Sequence, residues 1–198
     1  MKNRPRKPSS VFTLSARIEA NPGARLLSAA KDIFYSHGYA MAGINEVIEK
    51  SNTSKKSFYH YYPSKTDLGH AFLLLERDNL YELVDHFINK NPNNYKAFIT
   101  SWSRFLKLMG RSKSYKGCPF ANLSAQSTGE FTTEITNTMG QLKDKLIQFL
   151  EKSELALKRK EAEKKAKSIL VLYEGCIQMW KLTGDISYFD QFKDLLIA

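Results

Sequence analysis

The stretch GINEVIEKSNTSKKSFYHYYPSK, residues 43–65, predicts two short helices joined by a tight turn. In its first half, apolar residues recur at helical spacing: Ile44, Val47 and Ile48. Ser51-Asn52-Thr53 then predicts the turn, because asparagine tolerates a left-handed backbone conformation. This order of elements is typical of a helix-turn-helix.

The second of these helices has an apolar side and a polar, basic side. Ser54 is its predicted N-cap, and Pro63 ends it at Tyr62. Phe58 and Tyr62 lie one turn apart, and we expect both to face inward. The residues left outside are Lys55, Lys56, Ser57, Tyr59 and His60. Lysines suit phosphate or guanine, hydroxyl groups suit phosphate oxygens and aromatic rings suit thymine methyl groups, so the surface favours DNA.

Longer helices flank this motif. From Gly23 an apolar stripe predicts a helix that ends at Gly38; the stripe consists of Leu26, Leu27, Ala30, Ile33 and Phe34. After the motif, Ser64-Lys65-Thr66-Asp67 is a capping box, and it predicts a long helix that ends near Asn89.

Residues 22–75, which include ARLLSAAKDIFYSHGYAMAGINEVIEKSNTSKKSFYHYYPSKTDL, resemble the TetR family of bacterial transcriptional regulators. The resemblance implies an all-α protein with a three-helix DNA-binding domain at 22–75, its helix-turn-helix at 43–62, and a helical ligand-binding and dimerisation domain at 76–198. The implied DNA-binding residues are Thr53, Ser54, Lys55, Lys56, Ser57, Tyr59, His60, Tyr61 and Lys65. Asn52 and Lys56 replace residues that are often glycine in the family, and Gly43 replaces its usual Thr or Ser cap, so no base preference is transferred.

The charge of the chain is unevenly distributed. Of the net charge of +10, residues 1–70 contribute eleven basic against five acidic residues, and the surplus of the remainder lies in the run Lys158–Lys167. A basic N-terminal third indicates a polyanion partner, although general solubility explains the charge about as well. Residues 1–21 carry prolines and basic residues without apolar periodicity, which predicts a disordered basic arm. A solvated tail is favoured there over a phosphate contact.

The C-terminal two-thirds is also predicted to be helical. Apolar periodicity predicts helices over residues 95–110, from about 131 to 157, from the basic run to Gly184, and over 189–196. No strand-like alternation appears, so the fold class is all-α. No apolar run is long enough to span a bilayer and no signal-peptide core follows the N-terminus, so we expect a cytoplasmic protein with no membrane partner.

The C-terminal half also holds the candidate ligand-binding residues. They are Tyr95, Trp102, Phe105, Cys118, Phe120, Asn122, Tyr173 and Trp180. An aromatic stripe at helical spacing is more often simply core. The segment YKGCPFANLSAQ, residues 115–126, resembles one found in a subset of TetR-like regulators, some of which sense electrophiles or oxidants through its cysteine. A thiol at a helix N-terminus near Lys116 predicts a lowered pKa for Cys118, and a small buried residue is the alternative.

The resemblance implies a regulator, with repression as the family default and activation as an alternative. We expect a homodimer, formed through the last two helices of each subunit, that binds a pseudo-palindromic double-stranded DNA operator and is released by a small-molecule or electrophile inducer. The sequence has no glycine-rich phosphate loop, paired metal-ligand spacing or Gly-x-Ser-x-Gly elbow, so no enzyme, cofactor or metal is predicted. An RNA-binding or basic helical interaction module without an inducer is the remaining alternative.

Overall fold

The computed structural model describes residues 21–197, and within that range the chain forms helices and no strand. In chain order the helices are α1 (Pro22–His37), α2 (Ile44–Lys50), α3 (Lys55–Tyr61), α4 (Lys65–Lys90), α5 (Tyr95–Gly110), α6 (Pro119–Ala125), α7 (Thr132–Lys152), α8 (Arg159–Thr183) and α9 (Tyr188–Ile197). The all-α prediction is confirmed. Nearly all of the predicted basic arm lies outside the described residues.

The chain divides into two compact units, the first ending at Phe72 and the second beginning at Leu73. In unit 1, helix α1 packs against both α2 and α3. Its N-terminus is capped by Asn21, whose side chain accepts a hydrogen bond from the Gly23 amide at 2.9 Å. Its buried stripe ends in Phe34, whose ring meets the rings of Tyr39 and Phe72 edge to face, each at 5.3 Å between centroids. Unit 1 thus has an apolar core of its own.

In unit 2, helix α8 packs against α7 and α9, and α9 packs against α5. Trp102 lies at the centre of this core, with its ring centroid 5.1 Å from that of Tyr173 and 5.7 Å from that of Phe192. The buried hydroxyl of Ser103 donates to the Phe189 carbonyl at 2.6 Å and ties α5 to the start of α9. None of the helices in residues 21–197 is long and apolar enough to cross a membrane.

Helix α7 ends at Lys152, so the prediction that it continues to about Leu157 is wrong. Ser153 has an extended backbone with ψ 175, and Ala156 adopts a left-handed conformation with φ 44. Between them, both carboxylate oxygens of Glu154 accept from the Tyr95 amide, at 2.8 and 2.7 Å. The helix therefore ends where Glu154 caps the neighbouring helix α5.

Candidate functional site

Helix α3 has the local structure that the sequence predicts. Asn52 has φ 48 in the turn before it, and the Ser54 side chain accepts from the Ser57 amide at 3.1 Å. Phe58 is fully buried, and its carbonyl accepts from the amide of Tyr62, which ends the helix. Burial of one phenylalanine side chain stabilises the fold by about 1.5–3 kcal/mol. A helix of seven residues is unstable by itself, so this packing is a main source of its stability.

The outer face of α3 carries lysines and aromatic rings. Lys55, Lys56 and His60 are exposed, and the exposed fractions of Tyr59 and Tyr61 are 45% and 41%. Within residues 21–197 neither lysine takes part in an ion pair. Tyr59 beside the two lysines offers hydrogen bonds, charge and apolar surface together. Such a face suits the edge and backbone of duplex DNA.

Three of the predicted DNA-binding hydroxyl groups also have structural hydrogen bonds. The Thr53 hydroxyl lies 2.8 Å from that of Ser51 within the turn. The Ser54 hydroxyl caps α3 and donates to the Ser57 hydroxyl at 3.1 Å. These side chains lie on the predicted surface, but they hold the turn and the helix start as well. Their role as DNA contacts stays a prediction.

Lys65 begins helix α4 on the same unit. Its Nζ donates to the Ala40 carbonyl at 3.1 Å and lies 4.6 Å from the centre of the Tyr39 ring. Partial burial lowers the pKa of Lys65. An ammonium group has three donors, so two remain for a phosphate once Ala40 is satisfied.

The residues of α1 that position α3 were not predicted from the sequence. The guanidinium of Arg25 donates from Nε to the Ser51 carbonyl at 3.1 Å and so holds the end of α2 at the turn. The Tyr62 hydroxyl donates to the Gly23 carbonyl at 3.0 Å, and burial raises the pKa of Tyr62, which keeps it a neutral donor. A side chain on Gly23 would place its Cβ 2.6 Å from Cδ1 of Tyr61. The sequence signal that could have indicated this close contact was a glycine in the first turn of a helix.

The candidate ligand-binding residues take part in several different contacts within unit 2. Trp102 and Tyr173 are in contact, whereas the Tyr95 hydroxyl donates to the Leu196 carbonyl at 2.9 Å and Phe105 packs on Phe87. Phe120 is buried in α6, and Asn122 accepts from Lys181. Trp180 stacks on Tyr115, with centroids 5.2 Å apart. Tyr115 was not among the predicted residues.

Cys118 lies at the start of α6 as predicted, but the expected thiolate is wrong. The residue is 1% exposed, and both cysteines are buried. Burial first, and then the neighbouring Glu174 carboxylate, raise the pKa of the Cys118 thiol well above its usual range. Burial likewise raises the pKa of Glu174, to which the thiol donates. The alternative of a buried structural cysteine describes this site better, and no faster alkylation than at Cys176 is expected.

Nε1 of Trp102 and one carboxylate oxygen of Glu174 are among the buried polar atoms of unit 2 that have no hydrogen-bond partner within the described part of the chain. Such atoms cost free energy unless something pairs with them. No three His, Cys, Asp or Glu side chains among residues 21–197 are grouped as metal ligands.

Residues 26–72 match the family model described as bacterial regulatory proteins, tetR family. The N-terminal unit thus carries the region that the TetR-family model describes. It is 23% identical over 183 residues to an HTH-type transcriptional regulator of Lactococcus lactis, a match that covers 89% of this chain and 91% of that protein. It is also 23% identical over 114 residues to the HTH-type transcriptional repressor NemR of Escherichia coli, which covers 57% of each chain.

Solved structures of TetR-family proteins have the same fold. A TetR-family transcriptional regulator from Streptomyces coelicolor superposes with a TM-score of 0.77 at 18% identity, over 90% of this chain and 93% of that one. The reduced form of E. coli NemR superposes with a TM-score of 0.75 at 18% identity, over 88% of this chain and 95% of that one. The helix-turn-helix of this chain lies in the N-terminal region that the TetR-family model matches, and that match and the curated relatives support a DNA-binding transcriptional regulator.

Proposed function

We propose that this regulator is a ligand-responsive repressor that binds a pseudo-palindromic operator as a homodimer in the cytoplasm. The observation that carries the proposal is the outer face of α3, where Lys55, Lys56 and Tyr59 are exposed together above the buried Phe58. A helix fits the major groove of B-DNA, which is about 12 Å wide. Two such helices in a dimer contact successive major grooves about 34 Å apart. The proposal includes no enzymatic step.

Repression is favoured over activation by the similarity to NemR, which is named a repressor. The similarity is not uniform, because a 70-residue match at 33% identity joins this chain to FasR of Mycolicibacterium smegmatis, which is named an activator. That match covers 35% of this chain. A reporter gene placed behind the operator distinguishes repression from activation. Deletion of the regulator raises expression of the reporter if the regulator represses, and lowers it if the regulator activates.

The exposed faces of α8 and α9 support the homodimer. Tyr173, Ile177, Phe189 and Phe192 of these two helices are buried within unit 2. The apolar residues that remain exposed are Val171, Met179 and Leu182 on α8 and Leu195 on α9. The exposed fraction of Leu182 is 79% and that of Val171 is 69%. Large apolar side chains exposed on adjoining helices favour a second subunit as their partner.

We propose that the inducer binds in unit 2, close to the buried polar atoms of Trp102 and Glu174. A ligand with both a hydrogen-bond acceptor and a donor would satisfy them. Binding of the inducer and binding of the operator then weaken each other by the same factor, because the two affinities are linked thermodynamically. A reaction at Cys118 is disfavoured as the trigger, since its thiol is buried and its pKa is raised.

The test begins with the purified protein and fragmented genomic DNA of its source. Retained fragments are sequenced, and the affinity of the protein is then measured for one retained duplex, for a scrambled duplex and for single-stranded RNA of the same sequence. We expect the retained duplex to bind at least about 10³ times more tightly than the scrambled one. Preference for the RNA would contradict the proposal and support the RNA-binding alternative.

A further inference from the structure

The exposed side of helix α8 changes in character along its length. Residues three, four or seven positions apart share one face of a helix. The exposed residues that follow one another in this way along α8, here called its outer strip, are Lys160, Lys164, Lys167, Val171, Gly175 and Leu182. The N-terminal half of the outer strip is therefore basic, and its C-terminal half is apolar. Within residues 21–197 none of its three lysines takes part in an ion pair.

Gly175 lies among the apolar residues of the outer strip. A Cβ added there would meet no atom within 4 Å, so no contact within the subunit requires a glycine. Glycine inside a helix is less stable than alanine, because it loses more conformational freedom on folding. It does, however, allow another backbone to approach closely. Val171 and Met179, four residues away on either side, are exposed and offer apolar contacts at the same place. Gly175 is thus suited to be the point where a second helix crosses α8.

The charges near the two ends of the outer strip favour one direction for a second copy of α8. Asp185 follows the C-terminus of α8 and is exposed; it accepts from the Ser187 amide at 2.8 Å, and no basic side chain within residues 21–197 pairs with it. Lys164 lies eleven residues before Gly175 and Asp185 ten residues after it, which is about 16 Å and 15 Å along a helix. Antiparallel copies that cross at Gly175 bring these opposite charges together. Parallel copies would instead place the lysines against the same lysines and align the two helix dipoles unfavourably.

We propose that two copies of this chain pair through the outer strips of α8, which run antiparallel and cross at Gly175, so that Lys164 of each subunit meets Asp185 of the partner subunit. Val171 then lies opposite Met179 of the partner subunit, which covers apolar surface on both copies. Because the pairing has two-fold symmetry, each contact occurs twice. The inference rests on the proposed function, since it takes the homodimer proposed there and adds its direction, its crossing point and an ion pair.

Cysteine cross-linking tests the direction of the pairing in the full chain. A disulfide needs Cα atoms about 4.4–6.8 Å apart. In the antiparallel pairing each position 171 lies opposite position 179 of the partner subunit, but about 12 Å along the helix from position 171 of the partner subunit. We therefore expect the combined Val171→Cys/Met179→Cys chain to form dimers under mild oxidation, and neither single variant to do so. The wild type controls for the two native cysteines, which are buried, and Gly140→Cys, where a Cβ also meets nothing within 4 Å, controls for random collisions.

Charge reversal tests the ion pair. Lys164→Glu and Asp185→Lys should each weaken the dimer at least about fivefold in analytical ultracentrifugation, because each replaces an attraction by a repulsion at two symmetric places. The combined Lys164→Glu/Asp185→Lys variant should return to within about threefold of the wild type, since the pair is restored with its charges exchanged. Lys152→Glu, at an exposed lysine that ends α7, is the matched control and should leave the dimer unchanged.

The outcomes distinguish this inference from the proposed function. Cross-linking of either single cysteine variant would show a parallel pairing and overturn the inference, as would a combined charge variant that is as weak as the single ones. A dimer that forms without the expected cross-link would refute the geometry and leave the proposed homodimer intact. A wild-type chain that sediments as a monomer at micromolar concentration would overturn both, and the outer strip would then be left to a different partner.

Discussion

Gly23→Ala is the sharpest perturbation of the contact between helices α1 and α3. The added methyl group would lie 2.6, 3.0 and 3.1 Å from three carbons of the Tyr61 ring. Normal contact between carbon atoms begins at about 3.5 Å, so the overlap approaches an ångström. The ring must move, because Gly23 lies in the first turn of α1, which is held at Asn21 and at Tyr62.

Two opposing effects decide the change in stability. Alanine is better than glycine inside a helix by up to about 1 kcal/mol, and less near an end. Overpacking of a well-packed contact costs about 1–3 kcal/mol. Because Tyr61 is 41% exposed and can swing partly into solvent, we expect the lower part of that range, and a net loss of roughly 0.5–1.5 kcal/mol in the free energy of unfolding.

A double-mutant cycle with Tyr61→Ala isolates the clash. In the Tyr61→Ala background the methyl group meets no ring, so Gly23→Ala should be neutral or stabilising by up to about 1 kcal/mol. Urea denaturation followed by circular dichroism gives the four free energies, and DNA affinity is measured in parallel. A coupling energy below about 0.5 kcal/mol would show that Gly23 and Tyr61 are not in contact.

Further predictions concern helix α3, the proposed dimer and the buried carboxyl group. Ser54→Ala should lower stability by about 1 kcal/mol and Ser54→Gly by only a few tenths, which denaturation measures. Val171→Glu/Leu182→Glu should convert the proposed dimer into monomers in analytical ultracentrifugation, whereas Leu108→Glu, at another exposed position, on α5, should not. Burial raises the pKa of the Glu174 carboxyl group in the folded protein. The ionised carboxylate therefore opposes folding once the pH exceeds about 4.3, which is the pKa of a glutamate in an unfolded chain. Glu174→Gln should for this reason stabilise the protein at pH 7 and change its stability little at pH 4. Equal effects at both pH values would contradict this.

The elements of unit 1 could be read from the sequence because their signals are local. Ser54 caps α3, Asn52 takes the left-handed position of the turn and Gly38, with φ 92, ends α1, each as predicted. Such residues act on backbone groups two to four positions away, so no tertiary information is needed. The inward position of Phe58 followed from helical spacing in the same way.

The errors arose where a distant segment decides the outcome. Helix α7 stops at Lys152 because Glu154 caps Tyr95, which lies 59 residues earlier in the chain. The Cys118 thiol was expected to be acidic from its place at a helix start, but its burial and the Glu174 carboxylate of α8 reverse the shift. Neither partner is visible in the neighbouring sequence, and burial outweighs the helix terminus.

The central claim, that the outer face of α3 binds duplex DNA, is tested most directly by lysine footprinting. The protein is acetylated briefly with and without a saturating amount of its retained duplex, and mass spectrometry gives the modification rate of each lysine. We predict that the duplex slows acetylation of Lys55 and Lys56 at least fivefold and leaves the exposed Lys152 and Lys167 of unit 2 unchanged. Unchanged rates at Lys55 and Lys56, with protection at Lys152 and Lys167 instead, would contradict the claim.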